Sequence, residues 1–139
     1  MLVIKKIKNF DLENTITCGQ IFRFIKEEDN SFTIVINDRV INLKYKDDIL
    51  YVESNNEDNL EYVVCEYLDL DRYYDSIINT IKSMDSKLGE CLGKSLGLKM
   101  IKQNPLECII SYVISQNNSV RNIQNSLNLI ATKLIVAFL

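Results

Sequence analysis

The sequence predicts an α+β protein in which helices pack on an antiparallel β-sheet. Short segments rich in β-branched and aromatic residues, separated by turn-type clusters, occupy residues 20–53. After Ser54 the apolar period changes from two residues to about 3.6, which indicates helices. With 139 residues, 47% of them hydrophobic, the chain can bury a core as one domain, or as one domain and part of another.

Four strands are predicted in the first half of the chain. They are QIFRFI (20–25), SFTIVI (31–36), RVINLKY (39–45) and ILYVE (49–53). The clusters KEEDN, ND and KDD lie between them and suit hairpin turns. Because strands joined by short turns pair antiparallel, the four segments are expected to form a meander.

Two amphipathic helices are predicted to pack on this sheet. The first has an acidic first turn and apolar residues at helical spacing, namely Leu60, Val63, Val64, Tyr67 and Leu68. The second stops near Asp85 and repeats the pattern with Tyr74, Ile77, Ile78, Ile81 and Met84. The basic segment 87–103 holds three of the four glycines, and is expected to form a short irregular helix and a connecting strand or loop.

The strongest helix-start signal in the chain lies at residues 104–107. Asn104 is the expected N-cap, Pro105 takes the first helical position, and Glu107 follows three residues after the cap. The helix that begins here has little polar face and is predicted to be mostly buried; its apolar residues are Leu106, Ile109, Ile110, Val113 and Ile114. Ser119 is expected to cap a last helix with apolar residues at Val120, Ile123, Leu127, Ile130 and Leu134.

The last six residues, LIVAFL (134–139), carry no Gly, Asn or charge that would close this helix or shield it from water. Two interpretations stay open. Either the chain is cut off here, or the tail tucks into the core as a C-terminal helix. An exposed tail would be a surface for association with a partner.

The charge balance by itself gives no support to nucleic-acid binding. Lys and Arg total 16 against 19 Asp and Glu. The distribution is uneven, because residues 47–71 contain nine acids and no Lys or Arg, whereas residues 82–121 contain six bases and three acids. Only the second region is suited to face an anion.

Histidine and cysteine usage argue against a metal site. The chain has no His, and Cys18, Cys65, Cys91 and Cys108 form no CxxC pair. No metal or other cofactor is therefore expected. Cys65 and Cys108 lie among apolar neighbours and are interpreted as reduced core residues of an intracellular protein.

The ends of the chain favour a cytoplasmic protein. The start MLVIKKIKNF has basic residues after its apolar part, the reverse of a secretory leader. The apolar C-terminus is far shorter than the roughly 20 residues of a membrane span. The abundance of Ile, Asn and Lys hints at an AT-rich bacterial genome.

The segment TCGQIFRF (17–24) places Gly19 just before a predicted strand. The simplest interpretation is that Gly19 serves a turn or bulge. The functional alternative is that it brings bare backbone against a ligand. Arg23 is interpreted either as an ordinary surface residue of the strand or as one half of an interdomain ion pair.

The segment SQNNS (115–119) allows the same two interpretations. Asn tolerates left-handed backbone, so Asn117 and Asn118 are most simply a turn between helices. Alternatively, an amide side chain that both donates and accepts suits the gap left by a displaced base. Ser119 and the amides after it would then offer N–H groups to a phosphate, and Arg121 would add a cation.

The two segments together carry a resemblance. The order of GQIFRF, a four-strand meander, an acidic helix and QNPLECIISYVISQNNSVRNI resembles the 8-oxoguanine DNA glycosylase family, from about Phe10 to about Ile130. It implies a TATA-binding-protein-like antiparallel N-terminal domain over residues 1–103. It also implies that residues 104–139 are the incomplete start of an all-α helix-hairpin-helix glycosylase domain.

The resemblance also implies roles for individual residues. Gly19 would lend its carbonyl to the N7 hydrogen that distinguishes 8-oxoguanine from guanine. Asn117 would fill the space vacated by the flipped base and contact the estranged cytosine, with Asn118 beside it at the DNA surface. Arg121 lies one place earlier than the family's cytosine-reading arginine, and Asn122 stands in that arginine's place.

The family's catalytic residues have no counterpart here. The helix-hairpin-helix, the Schiff-base lysine and the later aspartate lie beyond Leu139 in family members, so no catalytic residue is assigned in this chain. The chain is interpreted as the N-terminal portion of an 8-oxoguanine glycosylase and lyase, with double-stranded DNA containing 8-oxoguanine as its partner, and is expected to be inactive alone. The alternatives are a non-catalytic DNA- or protein-binding module and an inert product of a disrupted gene.

Overall fold

The computed structural model describes residues 2–5 and 7–137. Within these ranges, the side chains of Lys5, Ser86, Lys94 and residues 134–137 are not described. The side chains of the LIVAFL tail therefore lie outside the described part of the chain. Both interpretations of the tail, and the association through it, stay predictions.

A five-stranded antiparallel sheet lies at the centre, with the strand order β1-β5-β4-β3-β2. The strands are β1 (Leu2–Lys5), β2 (Phe24–Lys26), β3 (Phe32–Ile36), β4 (Arg39–Lys46) and β5 (Ile49–Ser54). The predicted α+β class and the four-strand meander are confirmed. β1 was not predicted, because four residues are too few to establish a period; it pairs with the outer edge of β5, with Leu2 opposite Val52.

The turns use residues that tolerate left-handed backbone. Asn37 has a φ of +54° in the turn between β3 and β4. Asp47 and Asp48 join β4 to β5 with φ values of +53° and +60°, and two consecutive positive φ values are typical of a tight hairpin turn whose twist matches that of the strands. These local choices set the register that puts Ile41 and Leu43 on the buried face.

One face of the sheet forms the core. Alternate residues of β3, β4 and β5 are buried on it, namely Phe32, Ile34, Ile36, Ile41, Leu43, Leu50 and Val52. Two helices cover this face, α1 (Leu12–Thr17) with Ile16 and α2 (Leu60–Tyr67) with Val64. α2 was predicted, whereas α1, which begins where the Asp11 carboxylate accepts a hydrogen bond from the Asn14 N–H at 2.9 Å, was not.

The second predicted helix forms but does not pack on the sheet. It is α3 (Tyr74–Met84), and no residue along it is buried. The packing prediction was wrong because α1, α2 and Ile101 already fill the core beside the sheet. α3 is followed by α4 (Ser86–Cys91) and a 3₁₀ turn (Leu92–Lys94), after which a loop leads to α5. The predicted short irregular helix with a connecting loop is confirmed.

The last two helices are α5 (Pro105–Ser115) and α6 (Val120–Ala137). The predicted N-cap is confirmed, since the Asn104 side chain accepts a hydrogen bond from the Leu106 N–H at 2.9 Å. The prediction that α5 is mostly buried was wrong. Ser111 is its one buried residue, because no element in the described part of the chain covers its outer side.

The core assignment of Cys108 was also wrong, since this residue lies exposed on α5. Cys65 is half-buried, and burial raises the pKa of its thiol to about 11. All four cysteines are free. Within residues 2–5 and 7–137, no group of three or more Cys, Asp or Glu side chains is arranged to hold a metal ion, and no helix has the length and apolar content needed to cross a membrane.

Candidate nucleic-acid interface

Gly19 lies in the turn between α1 and β2 and has a φ of +92°. A Cβ placed there would meet no atom within 4 Å, so the backbone angle and not crowding requires glycine. The carbonyl oxygen of Gly19 accepts no hydrogen bond from any residue that the structure describes. This turn is therefore open, with its backbone acceptor unused.

Gln20 holds this turn against the segment that leads into α5. Its side-chain amide donates to the Lys99 carbonyl at 2.7 Å and accepts from the Ile101 N–H at 2.9 Å. The Gln103 side chain donates to the Gln20 carbonyl at 2.5 Å. β2 begins at Phe24 and not at Gln20 as predicted. Gln20 instead bonds to the segment 99–103 through both its side chain and its carbonyl.

The same segment is anchored from its other side. Asp69, whose side chain is 5% exposed, accepts from Tyr74 Oη at 2.8 Å, from Lys102 Nζ at 3.2 Å and from Arg72. Burial alone would raise the pKa of Asp69, but the bonds from Arg72, Tyr74 and Lys102 outweigh it and lower that pKa below 3.8. The start of α5 is thus fixed between Gln20 and the Asp69 cluster.

A cavity of about 180 Å³ opens between the Gly19 turn and α5. The residues that line it are Gly19, Gln20, Phe22 and Gln103 on one side and Cys108, Ser111, Tyr112 and Ser115 on the other. Ser115 is the last residue of α5, two positions before Asn117. The structure therefore brings Gly19 together with Ser115, the first residue of SQNNS, although almost one hundred residues separate them in sequence.

An ion pair lies near this junction. Arg23 Nη1 is 3.4 Å from Glu107 Oε1, and both side chains are about one-third exposed. Glu107 therefore bonds across to Arg23 and does not close the capping box that its spacing to Asn104 suggests. Of the two interpretations of Arg23, the ion pair is the one observed. Whether the domain boundary lies at residue 103 stays a prediction.

The two asparagines after α5 differ in what they do. The Asn118 side chain donates to the Ile114 carbonyl at 3.2 Å and accepts from the Ser119 N–H at 2.9 Å, so it closes the turn. Asn117 has a φ of +51°, is exposed, and its side chain forms no hydrogen bond to the described residues. The turn thus employs the backbone of Asn117 and leaves its amide free.

The start of α6 is also exposed. The Ser119 hydroxyl accepts from the Asn122 N–H at 3.3 Å, which confirms it as the cap. Arg121 lies in the first helical turn, and its side chain makes no ion pair with any residue in the described ranges. Asn117, Asn118, Ser119 and Arg121 therefore form one exposed polar group beside the end of α5.

Two residues of the site were missed from sequence. Gln20 was quoted within GQIFRF but was assigned no role, and Tyr112 was treated only as part of a buried helix. The signal for Gln20 is weak, since a polar residue between a glycine and a strand is common. Its bonding partners are 79 to 83 residues away, so only the folded chain reveals them.

Comparisons with known proteins point to one family. The model of the 8-oxoguanine DNA glycosylase N-terminal domain matches residues 2–109. The N-glycosylase/DNA lyase OGG1 of Arabidopsis thaliana is 22% identical over 123 residues, which cover 85% of this chain and 34% of that protein.

Solved structures agree. MBOgg1, in complex with a low-affinity DNA ligand, superposes with a TM-score of 0.81 at 33% identity over 88% of this chain and 42% of that one. The 8-oxoguanine glycosylase/lyase of Clostridium acetobutylicum superposes with a TM-score of 0.80 at 27% identity and the same coverage. The structure of this enzyme was solved twice, once in its apo-form and once in complex with double-stranded DNA that contains cytosine opposite 8-oxoguanine.

The chain thus spans between about one-third and about two-fifths of the length of these relatives. The matched model covers most of its length, including the sheet, the Gly19 turn and the first half of α5. The predicted resemblance is confirmed by the family model, by the relative and by the solved structures. The chain belongs to the 8-oxoguanine DNA glycosylase N-terminal domain family.

Proposed function

We propose that this chain supplies part of the lesion pocket and the base-gap wedge of an 8-oxoguanine DNA glycosylase and lyase that acts on oxidised guanine opposite cytosine. The observation that carries the proposal is the cavity shared by Gly19 and α5, a helix that ends two residues before the exposed Asn117. The DNA-bound relatives support a duplex as the partner. A cytoplasmic, nucleoid-associated location in a bacterium is part of the same proposal.

In this role the Gly19 carbonyl accepts the N7 hydrogen of the damaged base. That oxygen has no partner among the described residues, and the lesion carries a donor where guanine carries an acceptor. A carbonyl oxygen in the turn therefore favours the damaged base over guanine, because guanine would place two acceptors against each other.

Asn117 enters the gap that the extruded base leaves in the duplex. Its free amide can donate and accept at once, which suits contact with the edge of the unpaired cytosine. Asn118 holds the turn that presents it, by its bonds to Ile114 and Ser119. Ser119 and Arg121 lie beside it and contact the phosphates, through the N-terminal N–H groups of α6 and a guanidinium.

The covalent chemistry of such an enzyme needs a lysine amine that attacks the sugar C1′, breaks the N-glycosidic bond with release of the damaged base, and forms an imine. β-Elimination from this imine expels the 3′ phosphate and so cleaves the strand. Burial lowers the pKa of Lys99, the buried lysine of the described part, with Asp75 and Asp69 acting in the opposite direction. However, Lys99 lines a different cavity from the one that holds Gly19, and its Nζ lies 4.1 Å from the centre of the Tyr74 ring. It is therefore not placed to act as the nucleophile.

We expect no imine between this chain and damaged DNA. Incubation with an 8-oxoguanine:cytosine duplex and borohydride should yield no protein–DNA adduct, because none of the lysines whose side chains the structure describes lines the cavity that holds Gly19. The Clostridium acetobutylicum enzyme serves as the positive control under the same conditions. An adduct with the 139-residue chain, lost on Lys99→Arg substitution, would contradict the assignment of catalysis to residues outside it.

The wedge role is tested by affinity for a duplex with an abasic site opposite cytosine. Asn117→Ala should weaken binding by roughly tenfold, since about 1–3 kcal/mol is typical of a good base-edge contact. The matched control is Asn79→Ala, which removes an exposed amide from α3, away from the turn. Equal affinities for the wild type and Asn117→Ala would count against the wedge.

A second candidate function is binding without catalysis, to DNA or to another polypeptide. The exposed apolar residues of α5 favour a polypeptide partner, because large apolar patches on a protein surface mark interaction sites.

A further inference from the structure

α5 presents its apolar side to solvent and its polar side to the rest of the molecule. Ser111 is 6% exposed, whereas Ile109 and Val113 are 60% and 63% exposed. At about 100° per residue, each of these lies two positions from Ser111 and hence about 160° around the helix. A surface helix of a complete domain normally has the opposite arrangement.

The exposed side forms a continuous stripe. Leu106, Ile109 and Val113 are spaced i, i+3 and i+7, so they lie along one side of α5. Next to Leu106, a cleft of about 220 Å³ separates α5 from α6 and is lined mainly by apolar side chains, including Ile110, Leu127 and Ile130. We call Leu106, Ile109, Val113 and Ile130 the outer face.

The outer face selects for an apolar partner. Glu107 is the one charged residue of α5, and its carboxylate is already paired with Arg23. A ridge of apolar side chains from a third helix would fill the cleft between α5 and α6, as in ordinary helix packing. The partner therefore needs a helix with an apolar side, and needs no complementary charge.

The comparisons indicate where that helix comes from. MBOgg1 and the Clostridium acetobutylicum enzyme superpose well on this chain, yet the match covers only 42% of each. More than half of each relative therefore lies outside the matched part. The family model ends at residue 109, within α5, so the outer face lies at the border between the matched domain and that remainder.

We propose that the outer face binds the remaining portion of the glycosylase fold when that portion is a separate polypeptide, through the apolar side of one of its helices. The inference rests on family membership and on the inverted burial of α5. It does not rest on the proposed catalytic function, because two chains can associate through this face whether or not the complex excises a base.

The test is co-expression of the full 139-residue chain with the part of the Clostridium acetobutylicum enzyme that this chain does not match. The molar mass of the purified material is measured by light scattering during size-exclusion chromatography. We expect a one-to-one complex. Ile109→Glu should weaken it by at least about tenfold, because it buries a charge in an apolar contact.

Ile25→Glu is the matched control. Ile25 is 61% exposed, almost the same as Ile109, but lies on the edge strand β2, outside the outer face. It should leave the complex intact, and circular dichroism should show both variants folded, since neither residue is buried. Absence of a complex, or equal loss with both variants, would overturn the proposal. So would a homodimer abolished by Ile109→Glu, because a second copy would then be the occupant.

Excision of 8-oxoguanine by the same complex is assayed separately. A complex that is sensitive to Ile109→Glu but inactive supports the docking surface while opposing the proposed function. If the two polypeptides excise 8-oxoguanine and their association is unaffected by Ile109→Glu, the proposed function is supported and the docking surface is opposed.

Discussion

The sheet core and the α5–α6 end of the molecule place similar apolar residues in opposite environments. Leu43 and Leu50, on neighbouring strands, are fully buried, whereas Leu106 on α5 is 65% exposed. The sheet has α1 and α2 across its apolar face, while the outer face has no covering element among the described residues. Stability should therefore depend mainly on the sheet region, and binding on the helical end.

The largest effect on the free energy of unfolding is expected in the sheet core, and the same substitution at the helical end should have almost none. Leu43→Ala should reduce the free energy of unfolding by about 2–5 kcal/mol, because it leaves a cavity in a packed core. Leu106→Ala should change it by less than about 0.5 kcal/mol, because that side chain is already in contact with water. Urea unfolding followed by circular dichroism measures both.

If Leu43→Ala fails to fold, Ile41→Val gives a milder version of the same test, with an expected loss of about 0.5–1.5 kcal/mol. Similar losses for the buried and the exposed position would mean that the outer face is part of the stable core, and the comparison between the regions would fail.

An intermediate effect is expected at Asp69, which connects the two regions through Lys102 in the segment that leads into α5. Asp69→Asn should cost about 1–3 kcal/mol at pH 7, since it weakens charge-assisted hydrogen bonds to a buried group. Asp38→Asn is the control. The Asp38 side chain is 85% exposed, and its ion pair with Arg39 is long, at 3.9 Å.

The cost of Asp69→Asn should also depend on pH. Because folding lowers the pKa of Asp69, its contribution is fully present above the unfolded value of about 3.8 and is lost as the pH falls through the lower folded value. The difference between wild type and variant should thus shrink in acid. A difference that stays constant from pH 7 to pH 2 would show that the charge of Asp69 is not what stabilises the junction.

The smallest effect on stability is expected at Asn117. Asn117→Gly should change the free energy of unfolding by less than about 0.5 kcal/mol, because glycine accepts the φ of +51° without strain but gains freedom in the unfolded chain. It should nevertheless weaken binding to an abasic-site duplex as much as Asn117→Ala does. Unchanged affinity would show that the amide makes no contact with the duplex and that Asn117 serves only the turn, through its backbone.

Local sequence patterns were enough to predict much of the sheet and the start of α5. The meander follows from period-two segments and short turns, and the cap at Asn104 follows from its place before Pro105. The burial of α5 could not be predicted in the same way. An apolar stripe shows that a helix has a side suited to burial, but not whether this chain supplies the element that covers it.

The candidate site was predicted in part. Gly19 and the SQNNS segment were singled out from sequence, and the structure adds that Ser115, where that segment begins, lines the same cavity as Gly19. The different environments of Asn117 and Asn118 could not be read from two identical adjacent residues. Gln20 was passed over because its bonds join residues about 80 positions apart.

The sequence by itself determined the strands of the meander, the turns at glycine and asparagine, the helix caps at Asn104 and Ser119, and the likeness to a DNA repair family. Backbone preferences and motifs act over a few residues, so they can be read locally. Only the tertiary structure decided which side of α5 is buried, that Glu107 pairs with Arg23, and that Gln20 anchors the approach to α5. Burial and long-range hydrogen bonds depend on which surfaces meet, and that is a property of the folded chain as a whole.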